Sequence, residues 1–103
     1  MDSLIISDRV LSIIDELEPG DTLEAKVTRL AESELRRRLA RYQLTDRQLR
    51  AKYGMALEEF EAVGVVAQMG YSFEVESDHQ DWDLAVDGIQ STERQLAELL
   101  GQS

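Results

Sequence analysis

The sequence contains no cysteine, which excludes disulfide scaffolds, thiolate metal sites and cysteine nucleophiles. Its single histidine, His79, rules out a HEXXH zinc pair and leaves one imidazole to serve any nucleophilic serine. No GxSxG elbow, P-loop or GxGxxG turn is present. Apolar runs are short: none approaches the ~20 residues of a membrane span, and Leu4-Ile5-Ile6 lacks both the length and the basic flank of a signal segment. No membrane contact is expected, and the expected compartment is the cytoplasm. Proline occurs once, at Pro19.

Positive charge is scarce except in one place. Nine of the eleven basic residues lie between Lys26 and Lys52, against Glu32, Glu34 and Asp46, so that window is net +6. The rest of the chain is net −16, giving −10 overall and a pI near 4.4. Such a balance works against general nucleic-acid binding, although a local patch still acts within about one Debye length, roughly 8 Å. With 103 residues, 43% of them apolar and 31% charged, the chain has room for one globular domain.

Spacing predicts mainly helix. Ile6, Val10, Ile13, Ile14 and Leu17 form one face of a helix over 3–18, widened by Leu4, Ile5 and Leu11, and Pro19-Gly20 ends it. Asp21, with Glu24 three residues on, is the expected N-cap of a second helix over 22–42. Thr45, with Gln48 reaching back and Leu44 packing on Leu49, predicts a separate short helix stopped at Gly54. Long helix, turn and short helix together suggest a helix-turn-helix, a spacing common in any helical protein. Ala56–Val63 reads as a further helix, while 65–69 is ambiguous. Tyr71–Glu76 alternates apolar and polar, a strand pattern that also suits an extended connector. A last helix over 78–100 has Ser77 as its expected cap and Trp82, Ala85, Val86, Ile89, Leu96, Leu99 and Leu100 as its apolar stripe. Gly88 weakens that helix unless close packing demands it; 101–103 is an expected flexible tail. The fold class expected is a single mainly α domain of four to five helices, with a short extended or β segment near 71–76.

Three kinds of function compete. Arg36, Arg37, Arg38, Arg41, Arg47 and Arg50 form a possible nucleic-acid face, or else a solvated helix face with (i, i+4) pairs such as Glu32–Arg36 and Glu34–Arg38. His79, Asp83 and Asp87 fall on one helical face and could hold a divalent metal, yet the EF-hand pattern fails, with Gln80 and Trp82 where ligands belong. A solvated acidic face that contacts a basic partner is the plainer reading, and no metal, cofactor or catalytic residue is assigned. Trp82 continues the apolar stripe and reads as core before it reads as a stacking platform.

The words Thr22-Leu-Glu-Ala-Lys-Val-Thr-Arg-Leu and Glu34-Leu-Arg-Arg-Arg-Leu-Ala-Arg-Tyr are joined by Leu44-Thr-Asp-Arg-Gln-Leu-Arg-Ala-Lys-Tyr-Gly-Met and Leu57-Glu-Glu-Phe-Glu. With Gly70-Tyr-Ser-Phe-Glu-Val-Glu-Ser-Asp and Asp81-Trp-Asp, they resemble a group of small bacterial and archaeal proteins that look like the upstream members of two-gene toxin–antitoxin-type cassettes. The resemblance covers about residues 22–100, carries no catalytic signature, and departs where Ala56 replaces a capping Ser or Thr. It implies a non-catalytic protein-interaction role: binding and neutralising a small toxin-like partner from a neighbouring gene. Residues 53–103, net −10, could mask a basic partner surface. The expected contact residues are Tyr71, Phe73, Glu74, Glu76, Asp78, Asp81, Trp82 and Asp83. A homodimer through the first or last helix and DNA contact by the basic window complete the expectations.

Overall fold

The computed structural model describes residues 5–101. Among them are five helices and no strand: α1 (Asp8–Leu17), α2 (Leu23–Tyr53), α3 (Leu57–Ala62), α4 (Val65–Gln68) and α5 (Phe73–Leu99). The mainly α expectation holds. The chain divides between Glu34 and Leu35 into two compact units. No described helix is long and apolar enough to cross a membrane.

In the first unit, α1 starts later than its apolar stripe suggests. Ser7 caps it by accepting the Val10 amide, so Ile5 and Ile6 precede the helix, and residues 3 and 4 lie outside the described residues. No residue of α1 is buried; Val10, Ile13 and Leu17 stay 48%, 53% and 61% exposed. What ties α1 to the first turns of α2 is charge: Lys26 pairs with Asp15, and Arg29 bridges Glu18 at 2.9 Å and Asp21 at 3.0 Å. The cap of α2 is Thr22, whose hydroxyl accepts the Ala25 amide, not Asp21, which adopts a left-handed backbone. The hydrogen bond from Arg29 holds the Asp21 carboxyl below its ordinary range.

In the second unit, the predicted break near Leu44 is absent and α2 runs unbroken to Tyr53. The Thr45 hydroxyl donates to the Arg41 carbonyl one turn back, and so caps nothing. Tyr42, Asp46, Leu49 and Tyr53 explain the continuity, since their spacing makes one inward stripe through the expected turn. Tyr42 lies on α5 at Gly88, where an added Cβ would meet its ring at 2.5 Å. Gly88 is therefore a packing requirement. Asp46 Oδ1 accepts the Trp82 indole N–H at 2.8 Å, and Leu49 is buried. Gly54 ends the helix as expected, at φ +68°.

The core of this unit joins Leu49, Leu57, Phe60, Val75 and Trp82, with Tyr53, Val65, Val66 and Val86 packed against them. Tyr53, Phe60 and Trp82 form an aromatic cluster with centroids 4.9–5.9 Å apart; such pairs are worth about 0.5–1.5 kcal/mol each beyond the area they bury. The ambiguous 65–69 stretch is a single helical turn, α4. The strand predicted over 71–76 does not form: Ser72 accepts the Val75 amide and α5 begins at Phe73, five residues before the expected start. Ser77 lies inside the helix and caps nothing.

Candidate functional site

The expected contact residues separate into three environments. Trp82 is fully buried, so it belongs to the core and not to a contact surface. Asp78 is half-buried and structural: Lys52 Nζ donates to it at 2.6 Å and to Glu74 at 2.7 Å, while the Tyr53 hydroxyl donates to Asp78 at 2.6 Å. Burial opposes ionisation of Asp78, but the hydrogen bonds from Lys52 and Tyr53 outweigh it and hold its carboxyl below the ordinary range. The same contacts push Lys52 up, and burial followed by the Asp78 bond pushes Tyr53 up. These groups clamp the end of α2 to the start of α5.

Tyr71, Phe73, Glu74, Glu76, Asp81 and Asp83 are exposed. Phe73 is 86% and Tyr71 64% exposed, with Met69 at 57% and Val63 at 45% nearby in the chain. Tyr71 has φ +55°, a conformation costing an L-residue roughly 1–2 kcal/mol; strain of this kind gathers at functional positions. Its amide bonds the Val66 carbonyl at 2.9 Å, which fixes the reversal between α4 and α5. Under that reversal lies a groove of about 320 Å³, lined by Phe60, Glu61, Gly64, Val65, Val66, Ala67, Tyr71 and His79. His79 lies 2.8 Å from Glu61 at its edge and packs on the Phe60 ring.

Sequence reasoning assigned only Tyr71 to this place. The groove arises where α3, α4 and α5 meet, and the available signal was Val63–Met69: too apolar for solvent and too short, beside Gly64, to bury itself. The histidine–aspartate face does not assemble. Among the described residues no group of three or more His, Cys, Asp or Glu side chains could hold a metal ion.

The basic face is less available than its charge suggests. Lys26 and Arg29 are taken by acids in the first unit, Lys52 by Glu74 and Asp78, and Arg50 by Asp46 at 3.1 Å. Arg36, Arg37 and Arg38 are exposed but each is engaged in an interaction. Arg41 lines a small hollow with Tyr42, Thr45, Asp81, Leu84 and Ala85, and Arg47 is exposed. With α2 unbroken, the turn that a helix-turn-helix would place near Leu44 is missing.

No family model, curated protein or solved structure matches this chain. What the surface offers is therefore read from its chemistry: an apolar groove, two exposed aromatics, one of them strained, and exposed acids on α3 and α5.

Proposed function

We propose that the protein is a non-catalytic, antitoxin-like interaction module that binds and neutralises a small basic toxin-like protein encoded by a neighbouring gene, in the cytoplasm. The observation that supports this most is the exposure of Tyr71 and Phe73 between acids of α3 and α5. Exposed aromatics are the side chains that anchor protein interfaces. Glu58, Glu59, Glu74, Glu76, Asp81 and Asp83, all exposed, supply a field that would steer a basic partner. The resemblance to upstream members of toxin–antitoxin-type cassettes points the same way.

The test is co-expression of the tagged chain with its neighbouring gene, followed by affinity capture and mass spectrometry. A small basic protein should be recovered in stoichiometric amount. Glu76→Lys with Asp83→Lys should weaken its binding by about tenfold, chiefly through a slower and less salt-dependent association. Recovery of the chain without that gene product overturns the proposal.

The same reading includes a homodimer through α1. With Val10 and Leu17 at a positions and Ile13 at the d position of a heptad, Arg9 and Glu16 both fall at g. An antiparallel second copy would place Arg9 against Glu16 while covering Val10, Ile13 and Leu17.

A further inference from the structure

We propose that the groove between α3, α4 and the start of α5 seats the apolar face of an amphipathic helix flanked by lysine or arginine. This deepens the interaction-module reading by naming the surface and the chemistry of its occupant.

Shape and lining come first. Phe60, Val65, Val66, Ala67 and Tyr71 make the walls apolar, and Gly64 leaves the floor without a side chain. A volume of about 320 Å³ sits at the lower end of the ~300–1,000 Å³ range of ligand-holding pockets, on the scale of a few inserted side chains rather than a cofactor. Tyr71 is held at its lip in a backbone conformation that glycine would adopt without cost, so the ring is retained there against local preference.

Charge decides the occupant. Between Tyr53 and Glu93 the chain has no lysine or arginine. Glu61 lies in the lining beside His79, Glu58, Glu59 and Glu76 are exposed on the adjoining helices, and Glu74 is paired with Lys52. An apolar seat whose surroundings are mainly acidic favours a partner whose apolar side chains are bracketed by the opposite sign. Backbone geometry decides the partner's conformation. No described residue is in a strand, so there is no sheet edge on which an extended peptide could add; a helix laid in the groove needs only the apolar seat that is present.

The experiment uses the full chain, isotopically labelled, and follows amide signals on titration with a synthetic leucine–lysine peptide whose leucines recur at helical spacing. An isomer with glutamate for lysine and one with scrambled leucines are the controls. Signals of residues 60–79 should move, and binding should weaken with salt. Tyr71→Gly, which suits the local backbone, and Ala67→Lys, at an exposed position, should each weaken binding about tenfold. The proposal is overturned if the peptide does not bind, if it perturbs α1 or the arginines of α2 instead, if the glutamate isomer binds as well, or if neither variant matters. The two readings fail separately. Peptide seated in the groove with no co-purified gene product removes the toxin partner and keeps the seat. A co-purified product indifferent to both variants keeps the partner and removes the seat.

Discussion

Asp78 shows how one carboxylate can serve the fold and still resemble a surface acid. It takes hydrogen bonds from Lys52 and Tyr53, groups 26 and 25 residues away. Because its folded pKa lies below the ordinary 3.8, its contribution is present above that value and disappears as pH falls through the folded pKa. Lys52 and Tyr53, both raised from ordinary values of 10.5 and 10.0, contribute below those values and lose their contribution as pH climbs past them. Replacing Asp78→Asn should therefore cost about 1–2 kcal/mol at neutral pH, measured by urea unfolding. The difference from wild type should narrow below pH 4 or so, as the wild-type carboxyl protonates. An equal difference at pH 3 and pH 7 would show that its charge is irrelevant.

At the scale of elements, the true start of α5 gives a sharp comparison. Ser72→Ala should cost about 1 kcal/mol, the usual loss on removing an N-cap, whereas Ser77→Ala, inside the helix, should cost little. Thermal denaturation of the two variants checks this, and the reverse order would restore the cap expected from sequence. Legibility followed polar residues in apolar register. The ends of α1 and α2 at Pro19 and Gly54 were plain, as was the stripe from Trp82 onward. That stripe continues back to Val75, but Asp78 and His79 occupy its inward positions and disguise the helical period; their partners, Tyr53, Lys52 and the Phe60 ring, are distant in sequence. Asp46 hides the continuity of α2 in the same way, because the indole it serves is 36 residues on. The apparent strand at Tyr71–Glu76 had the opposite cause: Tyr71 and Phe73 alternate with polar residues yet face solvent, and only Val75 is buried. Of the candidate site, the acids and the two exposed aromatics were readable; the groove was not, since its walls come from three helices whose pairing no local pattern encodes.

For the molecule as a whole, the exposed face of α1 makes a prediction about mass. Light scattering should find twice the 11.7 kDa of one chain, and Ile13→Glu should reduce it to one. Arg9→Glu should weaken the pair and Arg9→Glu with Glu16→Arg restore it; a wild type monomeric at every concentration would end the idea. Trp82, described above as a packing residue, has another consequence. It is the only tryptophan, it is fully buried, and residues 1–34 contain no aromatic side chain at all. Intrinsic fluorescence thus watches Leu35 onward and is blind to the first unit, whereas the amide circular dichroism sees both. Melting curves recorded by the two signals would coincide if the chain unfolds in one step and part if α1 and its ion-paired neighbour let go first. The protein carries its own optical label, placed on one side of the Glu34–Leu35 division.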